Sequence, residues 1–148
     1  REAKKKRPPK ASAKPVLAGA FAKTYSHLSW PVSGTITQHF GDQTASGVHA
    51  KGLTLKTRPK ATITTPYDGT VLFAGPFQNY GQLMIIDHGD EYLTVLSGFG
   101  SMDVAVGQEV LAGEPIGAMS QNNTNLYLEM RYRGQAIDPE PWFKKGGR

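Results

Sequence analysis

The sequence predicts a mainly β protein that folds as a single compact antiparallel β-sheet domain with a short N-terminal helix. Short apolar runs recur at intervals of about ten residues and are separated by turn-forming Gly, Pro, Asn and Asp, which is typical of antiparallel sheets. The 17 glycines and 10 prolines leave little room for long helices. A chain of 148 residues is long enough for one hydrophobic core, which excludes a multidomain enzyme.

Residues 1–14 are predicted to be a flexible basic linker. Residues 1–23 carry eight Lys or Arg against one Glu, a charge of +7, whereas residues 24–148 carry nine against eleven Asp or Glu, a charge of −2. The formal net charge of +5 therefore comes from the N-terminal segment. Because no aromatic side chains are interleaved with the basic residues of the linker, we expect no nucleic-acid partner.

Residues 15–29 are predicted to form a short helix or an irregular lead-in to the domain. Apolar side chains recur at close to helical spacing at Leu17, Phe21, Tyr25 and Leu28. We expect this stripe to occupy a fixed seat on the back of the β domain, because the segment runs directly into Trp30. The alternative is that the segment lies in a binding groove and competes there with a partner.

Residues 30–143 are predicted to form the β domain, and residues 144–148 a C-terminal tail. Nine strands are expected: Gly34–His39, Gly52–Leu55, Ala61–Thr64, Gly69–Pro76, Leu83–His88, Tyr92–Ser97, Glu109–Leu111, Pro115–Ala118 and Leu126–Arg133. The runs TVLFAG and QLMIIDHG are the most apolar, so we expect the core to form around them.

Composition and local sequence exclude several kinds of chemistry. The absence of cysteine excludes disulfides, thiol nucleophiles and cysteine-bound metals. No apolar run reaches the roughly 20 residues of a membrane-spanning helix. The serines lack a nucleophile-elbow sequence, and residues 98–100 are too short to form a phosphate-binding loop. The first residue is Arg rather than Met, so we expect the chain to be a segment of a longer protein.

Six segments of the chain occur in an order that carries a family resemblance. They are WPVSGTITQHFG, HAKGLTLKT, TTPYDGTVLFAG, NYGQLMIIDHGDEYLTVLSG, VAVGQEVLAGEPIGAM and NLYLEMRYRGQAIDPEPWF. Read in sequence, they resemble the M23 or LytM family of lysostaphin-like zinc metallopeptidases, and they lie within residues 30–143. The resemblance implies a single β domain with an open groove across its principal sheet.

The same resemblance implies that the zinc site of the family is degenerate in this chain. Active members carry H-x-G-x-D for two zinc ligands, a later catalytic His, and a final H-x-H that holds the third ligand. When the first motif is anchored on Gly52, these positions are occupied by Ala50, Thr54, Gly98, Asn125 and Tyr127. A catalytic zinc needs three protein ligands, and none of these side chains is an imidazole or a carboxylate. We therefore expect no metal, no other cofactor and no catalytic residue.

The four histidines offer no replacement site by their spacing. They show no H-x-H, H-x-x-H or H-E-x-x-H pattern and stand at His27, His39, His49 and His88. His49 is displaced by one residue from the first ligand position, and such a shift turns a strand side chain to the other face of a sheet. His88 is interpreted as a framework residue at a strand end.

Within the family, the sequence is similar to the degenerate LytM domains of EnvC-type murein hydrolase activators. This implies a non-catalytic factor that binds the regulatory helix of a cell-wall N-acetylmuramoyl-L-alanine amidase and activates it for septal peptidoglycan splitting during cell division. It also implies a periplasmic location and a division-associated membrane complex reached through regions outside this chain. Two alternatives stay open, a peptidoglycan-binding module and an active zinc endopeptidase.

The resemblance implies six contacts for a partner helix in the groove, at Lys51, Thr54, Tyr80, Leu96, Tyr127 and Arg131. The two tyrosines would supply rigid aromatic area and Leu96 an apolar contact. Lys51 and Arg131 would form charge-assisted bonds with acidic groups of the partner. As alternatives, Leu96 and Tyr127 face the core, and Arg131 pairs with a carboxylate of its own chain such as Glu129.

Overall fold

The computed structural model describes residues 19–145 of the chain. The predicted linker of residues 1–14, the start of the predicted helix with Leu17, and residues 146–148 lie outside the described residues. Within the described range, secondary structure consists of β-strands and short 3₁₀ helices at Ala22–Thr24, Gln78–Tyr80 and Glu140–Trp142. None of the helices in this range has the length and apolar character needed to cross a membrane.

Eleven strands are found in the described part of the chain. In chain order, with the labels β1 to β11, they are Thr35–Gln38, Leu53–Lys56, Thr62–Thr64, Gly69–Pro76, Gln82–Gly89, Tyr92–Ser97, Phe99–Met102, Glu109–Val110, Pro115–Met119, Asn125–Tyr132 and Gln135–Ile137. The nine strands predicted from the sequence are all present, and each end agrees to within one residue.

The strands form two antiparallel sheets of unequal size. The large sheet has the order β1-β2-β10-β6-β5-β4-β8, and β11 pairs with β10 beside this path. The small sheet has the order β3-β9-β7. Strand β10 lies near the centre of the large sheet, hydrogen-bonded to β2 on one side and to β6 on the other. The predicted fold class, a mainly β antiparallel domain, is confirmed.

Alternate side chains of the central strands build one face of the core. On β10 the even-numbered residues Leu126, Leu128 and Met130 are fully buried, and the small sheet contributes Ile63 and Ile116 to the same cluster. Successive side chains of a strand point to opposite faces, so the odd-numbered residues of β10 lie on the other face of the large sheet. The core face and the opposite face are thus set by a simple alternation of residues.

Two strands were not predicted, β7 with four residues and β11 with three, and both are short. Strand β7 begins directly after Gly98, whose φ of +110° turns the chain from the large sheet to the small one. Strand β11 follows a tight turn in which Arg133 and Gly134 have φ of +51° and +79°. Positive φ at both central residues is the conformation that closes two-residue hairpins. Neither segment shows the apolar alternation that marks a strand in sequence.

Of the two alternatives for residues 15–29, a short helix or an irregular lead-in, the described part of the segment has the form of an irregular lead-in. Residues 22–24 form a single 3₁₀ turn, and Ser26 has a φ of +68°, which an α-helix does not accommodate. The backbone N–H of Leu28 donates to the carbonyl oxygen of Trp142 at 3.0 Å instead of to a residue of a helix. The carbonyl oxygen of Leu28 accepts from the backbone N–H of Lys144 at 2.9 Å. Tertiary pairing with the C-terminal segment therefore outweighs a modest local preference for helix.

Phe21 holds this lead-in segment against the core. Its side chain is fully buried, and its ring centroid lies 5.0 Å from that of His88, 4.7 Å from Tyr92 and 5.2 Å from Trp142. His88 is two residues from the buried core residue Ile86 on β5, and residues two apart on a strand share a face, so Phe21 packs on the core face of the large sheet. The expectation of a fixed seat agrees with this packing of residues 19–28.

Lys144, which the sequence assigned to a C-terminal tail, takes part in the fold through its backbone. The indole N–H of Trp30 donates to the carbonyl oxygen of Lys144 at 2.8 Å, and the Trp30 ring stacks on Phe143 with a centroid distance of 4.4 Å. The two ends of the domain are therefore joined to each other.

His88 is a buried framework residue, as the sequence indicated. Its Nδ1 lies 2.8 Å from the carbonyl oxygen of Asp68, which only accepts, so Nδ1 carries the proton. Its Nε2 then accepts from the Thr94 hydroxyl at 2.7 Å. Both ring nitrogens are satisfied in the neutral form, and burial lowers the pKa of His88 to about 4.

We expect the free energy of unfolding to fall as the pH drops from about 6.5, the ordinary pKa of histidine, towards about 4. In this window the unfolded state binds a proton that the folded state does not, so stability rises with pH. The full difference corresponds to about 3 kcal/mol. Urea unfolding at pH 7 and pH 5 measures the part of this loss that falls above pH 5, about 2 kcal/mol, because most carboxylates titrate below that range.

The variant His39→Gln is the control for this pH dependence. His39 is an exposed residue whose pKa is raised by its hydrogen bond to Glu140, so its ion pair gains strength as the pH falls. Removing it should leave the acid-induced loss of stability intact. Equal unfolding free energies at pH 7 and pH 5 for the unmodified chain would contradict the role assigned to His88.

Candidate functional site

The groove face is the face of the large sheet opposite the core. On β10 it carries Tyr127, Glu129 and Arg131, which alternate with the buried core residues of the same strand. Tyr127 lies opposite Thr54 on β2 and opposite Ser97 on β6. Neighbouring strands of the large sheet therefore present two degenerate metal positions, Thr54 and Tyr127, and three of the predicted partner contacts, Thr54, Tyr127 and Arg131, on one surface.

A cleft of about 540 Å³ opens at one end of the groove face. One wall is the loop that precedes β2, with His49, Ala50 and Lys51, and the other is the end of β10 with Arg131. His49 lies in this loop with its Nδ1 2.9 Å from the carbonyl oxygen of Gly41, and among residues 19–145 it does not join two other His, Cys, Asp or Glu side chains placed to hold a metal ion. The size of the cleft suits a few side chains of a partner.

Steric crowding explains why position 52, the anchor of the degenerate motif, is a glycine. A Cβ atom at this position would collide with the carbonyl oxygen of Leu128 and stand 2.9 Å from the hydroxyl of Tyr127. Only glycine therefore lets the start of β2 approach β10 so closely. The same contact limits the movement of the Tyr127 side chain.

The three groove residues of β10 form one hydrogen-bonded network. The hydroxyl of Tyr127 donates to Oε1 of Glu129 at 2.6 Å, and Nη1 of Arg131 donates to Oε2 of the same carboxylate at 2.6 Å. Nη2 of Arg131 donates to the carbonyl oxygen of Gly134 in the adjoining turn. Burial and the bond to Glu129 raise the pKa of Tyr127 above its ordinary range, so its hydroxyl stays protonated and remains a donor.

Aromatic side chains border the groove beyond Tyr127. The ring of Tyr80 lies 6.4 Å from that of Tyr127, Phe77 lies 6.0 Å from Tyr80, and Phe73 lies 5.8 Å from Phe77. Phe77 and Tyr80 are close to half exposed. Exposed aromatic rings are typical anchors of protein interfaces.

The degenerate metal positions lie together but offer no ligand set. Gly98 and Asn125 are in backbone contact, and Thr54 and Tyr127 are directly paired across two strands. Within residues 19–145, no three His, Cys, Asp or Glu side chains are placed to hold a metal ion. The residues present do not fit a zinc ion, because nitrogen or carboxylate donors do not converge there.

Gly98 adds a backbone obstacle to any catalytic histidine at its position. Its φ of +110° is one that L side chains rarely adopt, and a Cβ atom there would lie 2.5 Å from the carbonyl oxygen of Asn125. The loss of the family's catalytic residue is therefore accompanied by a local backbone that excludes its return.

The six predicted partner contacts differ in how exposed their side chains are. Tyr80 is exposed beside the groove, and Thr54 and Tyr127 are partly exposed on the groove face. Leu96 is fully buried in the core cluster, so the expectation that it contacts a partner is wrong. It is an even-numbered residue of β6 and shares the core face with Met84, its neighbour in register on β5.

The two basic contacts differ from each other. Arg131 forms the ion pair with Glu129 that the sequence left open as an alternative. Lys51 is exposed on the wall of the cleft, and no carboxylate of residues 19–145 lies within ion-pair distance of it. Lys51 and Arg131 therefore differ in that only the charge of Arg131 is paired with a carboxylate of the described residues.

Glu129 is the main site residue that sequence reasoning did not place in the groove. The signal was present in the segment Tyr127-Leu128-Glu129-Met130-Arg131, where polar and apolar residues alternate on one strand. Reading the register of β10 from the apolar positions assigns its three polar side chains to one face.

The fold and site together define a lysostaphin-like β domain in which no three side chains of residues 19–145 are placed to hold a zinc ion. Residues 48–139, more than half of the chain, match the family described as Peptidase family M23, and the chain belongs to that family.

Two curated relatives are named for a regulatory role. The chain is 32% identical over 117 residues to "Murein hydrolase activator EnvC" of Escherichia coli, covering 76% of this chain and 28% of the relative. It is 35% identical over 114 residues to "Murein hydrolase activator NlpD" of the same organism, covering 74% and 29%. The chain spans less than a third of the length of either relative.

Solved structures share the fold at lower sequence identity. Csd3 of Helicobacter pylori matches with a TM-score of 0.71 and 22% identity over 80% of this chain and 35% of that one. The solution structure of lysostaphin matches with a TM-score of 0.66 and 17% identity over 83% and 58%. These similarities confirm the lysostaphin-type architecture.

Proposed function

We propose that this domain is a non-catalytic LytM factor that binds and activates a cell-wall N-acetylmuramoyl-L-alanine amidase for septal peptidoglycan splitting. The observation that carries the proposal is the groove face, where the metal-ligand positions hold Ala50, Thr54 and Tyr127 beside a cleft with an exposed lysine. The names of EnvC and NlpD as murein hydrolase activators support the same role.

The partner is the regulatory helix of the amidase, and the groove suits a helix chemically. The rings of Tyr80 and Tyr127 supply apolar area, and Lys51 supplies a positive charge for an acidic side chain. Such a factor must reach murein, so we place the domain in the periplasm. Regions outside this chain would connect it to a division-associated membrane complex.

Cell-wall digestion tests the proposal directly. Purified dye-labelled sacculi are incubated with candidate amidases, with and without the purified 148-residue chain. Activation predicts that the chain increases dye release by at least one amidase and releases no dye alone. If no amidase responds and the chain instead co-sediments with sacculi, the domain is a peptidoglycan-binding module, and the activator role fails.

We also expect the purified chain to contain far less than one zinc per molecule and to cleave no peptidoglycan peptide bond. The pair of substitutions Ala50→His and Thr54→Asp should not create peptidase activity, because Tyr127 still withholds the third ligand and Gly98 the catalytic histidine. Elemental analysis measures the metal, and a lysostaphin-type enzyme serves as the positive control. A content near one zinc per chain would support the endopeptidase alternative.

A further inference from the structure

Glu129 occupies an unusual position for a carboxylate, since it is buried on the groove face among residues of the site. It is 8% exposed, whereas Arg131 and Tyr127 on either side of it reach the groove more fully. Each of its two oxygens accepts one short bond, Oε1 from Tyr127 and Oε2 from Arg131. One carboxylate therefore holds two groove side chains at once.

Tyr127 and Arg131 each make a second contact, besides the bond to Glu129, that restricts the side chain. The ring and hydroxyl of Tyr127 lie against Gly52 of the neighbouring strand, where even a methyl group would not fit. The guanidinium of Arg131 is bonded to the carbonyl oxygen of Gly134 in the turn before β11. A long side chain tied at two points loses most of its rotational freedom before any partner arrives, so less entropy is lost on binding.

We propose that Glu129 is a positioning residue, which holds Tyr127 and Arg131 in the geometry that receives the amidase helix. This inference rests on the proposed function. The carboxylate itself is too buried to be a major contact, and it acts through the two side chains that it orients. It also neutralises the guanidinium, so the partner's acidic group is recognised by Lys51, while Arg131 presents a rigid planar surface.

The test compares three substitutions in the full chain by amidase activation. Glu129→Gln keeps the shape and accepts from Tyr127 but turns an amide towards Arg131. Tyr127→Phe removes only the hydroxyl. Glu91→Gln is the matched control, because Glu91 pairs with Arg133 at 3.4 Å on the exposed β5–β6 turn. Each variant is titrated against a fixed concentration of amidase.

Glu129→Gln should raise the half-maximal concentration for activation about tenfold and leave the maximal rate unchanged, as expected when preorganisation is lost. Glu91→Gln should change neither quantity. Tyr127→Phe should also raise the half-maximal concentration, because the ring loses its bond to Oε1 of Glu129, and its effect should add to that of Glu129→Gln, since the glutamine oxygen still accepts from the tyrosine hydroxyl. A residue with a merely structural role would instead lower the melting temperature and reduce the maximal rate through loss of folded protein.

The outcomes separate this inference from the proposed function. If the unmodified chain activates no amidase, the proposed function fails, and the inference fails with it. If the unmodified chain activates but Glu129→Gln has the same half-maximal concentration, the inference alone is overturned. Should Glu129→Gln fail to fold, Tyr127→Phe and Arg131→Met decide, since each removes one bond to Glu129, and normal half-maximal concentrations for both would overturn the inference.

Discussion

Phe21→Ala should lower the free energy of unfolding by about 3–5 kcal/mol, the cost of removing a large aromatic side chain from a packed core. Phe21 is fully buried and contacts the rings of Tyr67, His88, Tyr92 and Trp142. A cavity at this point would separate the lead-in segment from the β domain. Urea unfolding at pH 7 measures the loss.

Tyr25→Ala is the matched control for this substitution. Tyr25 belongs to the same segment and touches the edge of Trp142, but its side chain is 52% exposed. Its removal should cost less than about 1 kcal/mol. Amidase activation by folded Phe21→Ala should stay normal, because Phe21 lies on the core face. Increased activation with unchanged stability would identify the segment as an autoinhibitory element instead.

Lys51→Glu should abolish amidase activation at concentrations where the unmodified chain gives its full effect. Lys51 lies exposed on the wall of the 540 Å³ cleft. If it meets an acidic side chain of the partner helix, the substitution places two like charges together at the interface. Such repulsion costs several kcal/mol, which corresponds to a loss of affinity of about a hundredfold or more.

Lys23→Glu controls for the change in net charge. Lys23 is exposed on the lead-in segment, two residues after Phe21, which packs against the core face of the sheet. It should activate like the unmodified chain at the same ionic strength. Full activation by Lys51→Glu would show that the cleft does not contact the amidase. A second, charge-reversing substitution in the amidase helix that restored activation would identify the partner residue.

The strands of this protein could be predicted from the sequence because the signals for a strand lie within the strand and the turns beside it. Turn residues and alternating apolar positions identified all nine predicted strands to within one residue at each end. The order of six motifs indicated the family, since glycines such as Gly52 are fixed by close approach of the backbone. The residues at the degenerate metal positions were likewise visible in the sequence, because a ligand is defined by its side-chain type.

The lead-in segment shows what local reasoning leaves open. The apolar spacing of Phe21, Tyr25 and Leu28 left a short helix and an irregular lead-in as alternatives, and in the structure only two of these side chains are buried, while Leu28 pairs with the C-terminal segment. Apolar spacing in a sequence shows which side chains are apolar, but it does not show which surface of the protein they pack against. That surface is built by residues more than a hundred positions away, such as Trp142 and Phe143.

The composition of the groove was decided by tertiary structure in the same way. The sequence supplied Lys51, Glu129 and Arg131 as separate charges, but the pairing of β10 with β2 and β6 set which of them meet. Alternation along β6 sent Leu96 to the core, and alternation along β10 brought Tyr127, Glu129 and Arg131 onto one face. A hydrogen bond forms only if the donor and acceptor atoms are placed to within a few tenths of an ångström. Strand register and side-chain packing determine that placement, and the order of residues in the sequence does not.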